Sequence, residues 1–152
     1  MLLELSKYFE DLAVNERFLT GTRTVTETDL VSFVGFMRIN NPLFVDLRYA
    51  ERSIFHARIV PGPLILTIAM GLLDNLGLFS DSLLALLSIE SKFLAPVKVG
   101  DTIYVESTVL YKHESSKGGR GVITLSEQVL NQEEERVLEL KRNILLKLKN
   151  EK

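Results

Sequence analysis

Residues 63–77 leave this chain few ways to fold, because a helix built from them has almost no polar side. Leu64, Ile65, Ile68, Ala69, Leu72, Leu73 and Leu76 fall on one face at helical spacing. Leu66 and Met70 carry apolar surface round the other side, and Ile59 precedes them. A helix apolar on most sides is buried rather than laid on a surface. Pro63 suits its first turn, where a missing N–H costs nothing, and Gly77 is a natural terminator. A membrane span would need roughly 20 apolar residues in succession. Here Pro61, Gly62, Pro63 and Asp74 break the run. The rest of the chain therefore has to wrap this helix.

Four strand-like runs follow it. Residues 83–93 are nearly continuous in apolar side chains. Residues 101–112 alternate, with Ile103, Val105, Val109 and Tyr111 on one face and Tyr104, Glu106 and Thr108 on the other. Residues 122–130 form a third run. In 137–148, Leu138, Leu140, Ile144, Leu146 and Leu148 oppose Glu139, Lys141, Asn143 and Lys147, with Leu145 breaking the pattern. Such alternation describes a half-buried antiparallel sheet. Gly100-Asp101, residues 117–121 and the polar stretch 131–135 supply the connections. Ahead of the helix, residues 17–25 read as a strand. Thr26 then caps a helix to about Met37, with Asp29 completing a capping box and Leu30, Phe33, Val34 and Met37 on its apolar face. Asp46 caps a short helix through Arg52. Helices come first and strands later, an α+β order. The expected architecture is a five-stranded antiparallel sheet wrapped around a long central helix, with a helical overhang before it: the hotdog fold.

The chain has 152 residues, which suggests one domain over 1–152. A net charge of −2 offers no footprint for nucleic acid or an anionic membrane. With no cysteine, disulfides, thiolate zinc sites and a cysteine nucleophile are excluded. Two separated histidines, His56 and His113, make no metal site. Residues 1–7 lack the apolar run of a signal peptide, so a cytoplasmic location is the expectation.

Motifs in order along the chain now carry a resemblance. Tyr8-Phe9-Glu10-Asp11-Leu12 with Val14 matches an opening YFEDxxVG, with Asn15 in place of the glycine. Arg23-Thr24-Val25-Thr26-Glu27-Thr28-Asp29 matches RTVTExD. Asn41-Pro42-Leu43, Val45-Asp46 and Tyr49-Ala50 match NPLHxDxxYA. Phe55 with Ile59-Val60-Pro61-Gly62 matches FGxxIxHG, and Phe93 to Asp101 matches FxxPVxxGD. In this order the chain resembles the MaoC-like dehydratases, the hotdog family that includes (R)-specific enoyl-CoA hydratases, over nearly its whole length.

The resemblance implies a loop G-D-x-N-P-x-H whose Asp and His hold the water that adds to an enoyl thioester. That work needs a group able to exchange a proton near neutral pH. Laid on Asn41-Pro42, the Asp position is Ile39, the His position is Phe44 and the glycine position is Arg38. Neither Ile39 nor Phe44 can carry a proton. Asn40 stands one residue off, and its amide can orient a water without being a useful base. The family's His-Gly-Met is here Pro61-Gly62-Pro63, where the resemblance implies that a helix N-terminus polarises the thioester carbonyl. Only Gly62 of the three has an N–H. Pro-Gly-Pro either aims one hydrogen bond at a carbonyl or only sets where the helix begins, and the sequence leaves both open.

The expected ligand-contacting residues are Ile39, Asn40, Asn41, Phe44, Gly62 and Arg120, the last reaching coenzyme A phosphates from the 117–121 hairpin. A flexible basic hairpin tip is the plainer account of that segment, which lacks the Lys-Ser/Thr ending of a P-loop. His56 and His113 are expected at the surface, Asp74 near solvent, and Asp46 as a cap. Lys141, Arg142, Lys147 and Lys149 are expected to solvate a strand face or guard an edge. Three functions compete: hydratase by descent, a non-catalytic acyl-CoA binder, and a thioesterase using Glu90. No cofactor beyond the coenzyme A thioester is expected, and the resemblance implies a homodimer.

Overall fold

The computed structural model describes residues 6–149; the reading of the N-terminus as free of a signal peptide falls partly on residues outside them. After a short 3-10 turn at Phe9–Asp11 come β1 (Arg17–Leu19), β2 (Arg23–Thr24), α1 (Glu27–Met37), α2 (Pro42–Val45), α3 (Leu47–Arg52), α4 (Gly62–Asp74), β3 (Leu83–Phe93), β4 (Thr102–Glu114), β5 (Arg120–Leu130) and β6 (Arg136–Lys147). The strands form one antiparallel sheet in the order β1-β4-β5-β6-β3, and β2 also pairs with β4. The sheet curls round α4, the hotdog arrangement expected from the sequence.

Six strands replace the expected five because residues 17–25 do not run as one. Leu19 pairs with Glu106 and Arg23 with Ile103, so four steps on one side face three on the other. The surplus residue is absorbed at buried Thr20, whose Oγ1 accepts the Val105 N–H at 2.9 Å while its own N–H donates to the Val105 carbonyl at 3.0 Å.

Helix α4 buries Leu64, Ile65, Ile68, Ala69 and Leu72, and packs with Ile103, Val105, Val129, Leu138 and Leu140 of the sheet. A second cluster at the other end of the sheet joins Phe9 and Leu12 to Val109, Ile123, Leu125, Ile144 and Leu146. Between them the inward positions turn polar: Ser107 on β4, Glu127 on β5 and Arg142 on β6. Arg142 Nε donates to Glu127 Oε2 at 2.7 Å, a second guanidinium nitrogen meets Oε1, and Ser107 Oγ donates to Oε1 at 3.4 Å. Arg142 is therefore corrected from a solvated strand cation to the buried partner of Glu127. It lies at the same parity as Leu140 and Ile144, which faces it inward.

Tyr111 is a second correction. A bulge between Val109 and Tyr111 shifts the register, leaving Tyr111 exposed beside His113, with ring centroids 5.6 Å apart. Lys112 instead reaches across to the Phe9 and Leu12 carbonyls, at 2.9 and 2.6 Å. No described helix is long and apolar enough to cross a membrane.

Candidate functional site

The loop after α1 is built by caps. Thr26 Oγ1 accepts the Asp29 N–H at 3.1 Å, and Asp29 Oδ2 accepts the Thr26 N–H at 2.9 Å. The Thr26 amide, and then Arg23 at 2.7 Å, hold the Asp29 carboxyl below its ordinary pKa despite partial burial. At the other end of α1, Arg38 adopts left-handed backbone (φ 54°, ψ 37°) and turns the chain, its N–H donating to the Gly35 and Val34 carbonyls. Asn41 then caps α2, its Oδ1 accepting the Leu43 N–H at 3.0 Å. Asp46 caps α3 through the Tyr49 N–H at 3.1 Å. Asn41 Oδ1 and Asp46 Oδ1 are thus spent on backbone, and Pro42 opens a helical turn that the sequence did not suggest.

These caps present Ile39 and Phe44, both half-buried, to a cavity of about 620 Å³. Leu30, Val31, Val34 and Val45 complete its apolar wall, and Arg38, Asn40 and Arg58 its polar part. Arg58 is ion-paired to Glu27. Asn41 is not part of the lining.

A second cavity, about 440 Å³, opens at the start of α4 between Phe55, Ile59, Gly62, Phe93 and Pro96. The Leu64 and Ile65 N–H groups both turn back to the Pro61 carbonyl, at 2.9 and 3.4 Å. Gly62 therefore carries the one first-turn N–H with no helical acceptor. Its Cα lies under the Phe93 ring: a Cβ there would sit 2.7 Å from that ring, so no larger residue fits without moving it.

The two cavities share no lining residue, although Arg58 lines one and Ile59 the other. Ile39, Asn40 and Phe44 are brought together, while Gly62 stands apart. Arg120 is distant from both. It begins β5 at the Phe9 end of the sheet, whereas Val129 near the other end of β5 packs with Val60 and Leu64. At about 3.3 Å per residue the strand spans roughly 30 Å. Glu90 pairs with Lys141 and opens outward with Ser126 and Gln128, away from α4, since its neighbour Ile89 is the residue packed on the core. His56 is exposed, its Nδ1 3.3 Å from the Glu51 carbonyl. Among the described residues no cluster of His, Asp and Glu could hold a metal. The sequence reading missed Arg58 and Phe93 as lining residues; no motif marks Arg58, whereas Phe93 opens the FxxPVxxGD motif, whose Pro96 and Val97 line the same cavity.

A family model described as a MaoC like domain matches residues 11–130. Protein MaoC of Klebsiella aerogenes is 35% identical over 114 residues, covering 72% of this chain and 33% of that protein, so the match spans a third of the relative. The (R)-specific enoyl-CoA hydratase of Rhodospirillum rubrum is 30% identical over 102 residues, 67% of this chain and 69% of the enzyme. Among solved structures, a monoamine oxidase regulatory protein from Archaeoglobus superposes with a TM-score of 0.87 at 34% identity, covering 93% of this chain and 95% of that one.

Proposed function

The chain belongs to the MaoC-like domain family, and from that premise we propose that it binds acyl thioesters without hydrating them through its own side chains. One observation carries this reading: neither cavity is lined by an Asp, Glu or His. Hydration needs a base within hydrogen-bond reach of the water, and Ile39 and Phe44 offer none. What the linings do offer is apolar wall for an acyl chain and the Gly62 N–H for a carbonyl oxygen. The hydratase of Rhodospirillum rubrum supports the acyl-CoA class of ligand. The partner proposed is a second copy of this chain, joined along β3. That strand is an edge of the sheet, and its Leu83, Leu84, Leu86 and Leu87 are all about half exposed.

The test mixes purified protein with short and medium enoyl-CoAs and follows binding, hydration and hydrolysis together. Binding without turnover is expected. Hydration at an enzymatic rate by the unaltered protein would sink the reading. The double variant Ile39→Asp/Phe44→His is expected to gain measurable hydratase activity, on the order of the 10²–10⁴-fold that a positioned acid–base group supplies. No gain in a folded variant would mean that the loop no longer holds those positions over the substrate.

A further inference from the structure

The cavity at Ile39 and Phe44 carries a charge that a neutral acyl chain does not call for. Two arginines, Arg38 and Arg58, line it, Arg38 exposed to solvent as well, and no Asp or Glu does. Glu27 neutralises Arg58. Arg38 has no ion-pair partner among the described residues. Its backbone makes the choice of residue costly: at φ 54° an L side chain is disfavoured by about 1–2 kcal/mol, and glycine is the residue that avoids the cost. A strained position that nonetheless holds an unpaired cation against an apolar wall points to something that cation meets.

We propose that this cavity takes an apolar chain ending in a carboxylate, with Ile39, Phe44, Val31 and Val34 covering the chain and Arg38 accepting the carboxylate. The planar fork of an arginine matches a carboxylate with two parallel hydrogen bonds, which a neutral chain end cannot use. The inference rests on the acyl-binding reading and narrows it. The carboxylate can come from two sources, a thioester whose acyl group ends in a carboxylate or a free fatty acid anion.

The experiment is titration calorimetry of the whole chain with coenzyme A, octanoyl-CoA, suberyl-CoA and octanoate, repeated on Arg38→Gln and Arg38→Lys. Suberyl-CoA matches octanoyl-CoA in carbon number and differs only in a carboxylate in place of the terminal methyl. For the unaltered protein, suberyl-CoA is expected to bind about tenfold or more tighter than octanoyl-CoA, the scale of a charge-assisted bidentate pair. In Arg38→Gln that ratio should fall to near one, and Arg38→Lys should fall between. If instead octanoate alone binds, and depends on Arg38, the source is a free fatty acid. The carboxylate proposal then stands while acyl-thioester binding fails. Equal affinity for suberyl-CoA and octanoyl-CoA overturns the proposal and leaves the thioester reading intact. So does an Arg38→Gln loss shared by coenzyme A itself, which would place the guanidinium on the phosphates. No binding of any probe overturns both.

Discussion

Three residues occupy positions where the family pattern has glycine: Asn15, Arg38 and His56. All three have positive φ, at 70°, 54° and 53°. Turns that glycine would make cheaply are thus made here by residues with a side chain. This was legible in part, since a glycine position is a statement about φ. That Arg38 also lines the cavity was not, because side-chain direction does not follow from φ. Restoring glycine removes a left-handed cost of about 1–2 kcal/mol and adds back about 0.5–1 kcal/mol of unfolded-chain freedom. Arg38→Gly is expected to stabilise the fold by about 0.5–1 kcal/mol in urea denaturation. Asn15→Gly and His56→Gly should change less, because asparagine and histidine tolerate this region. A destabilised Arg38→Gly would show that the guanidinium contributes packing worth more than the strain it costs.

At the scale of elements, strand parity predicted most of the sheet and failed where a charge sat at an inward position. Residues 137–148 were correctly read with even-numbered side chains inward, yet Arg142, itself even, was assigned to solvent on its charge alone. The missing information was its partner: Glu127 lies on the neighbouring strand at the inward parity of Leu125 and Val129. Tyr111 failed for a different reason, since nothing in the residue types of β4 announces the bulge after Val109. Glu127 is fully buried and the Arg142 side chain 9% exposed, so removing one partner strands the other charge in the core. Glu127→Gln is expected to cost about 3–5 kcal/mol, whereas Glu127→Leu with Arg142→Met should recover most of that, because the desolvation cost of both ions disappears together. A double-mutant cycle read by denaturant unfolding measures the coupling. Additive losses would mean that the two side chains act separately, with Ser107 and solvent satisfying each.

For the whole molecule, the buried apolar helix and the alternating strands after it were enough to imply the fold, because a curved antiparallel sheet can cover a helix that lacks a polar side. Where the molecule stops was not legible in the same way. The run 83–93 is nearly continuous in apolar side chains, yet in the single chain β3 is an edge, paired with β6 alone and half exposed at Leu84 and Leu87. An apolar run on an unpaired edge is a liability unless another strand or chain covers it. A second copy laid edge to edge on β3 would cover it and reconcile the sequence pattern with the exposure. Lysine on such an edge opposes strand addition while leaving the chain's own pairing intact. Sedimentation velocity at micromolar concentration is therefore expected to give a dimer for the unaltered protein and a folded monomer for Leu84→Lys/Leu87→Lys, with circular dichroism unchanged. A monomer from the unaltered protein would leave the leucines of β3 without the cover proposed for them. A dimer that persists in the variant would move the interface to another face of the molecule.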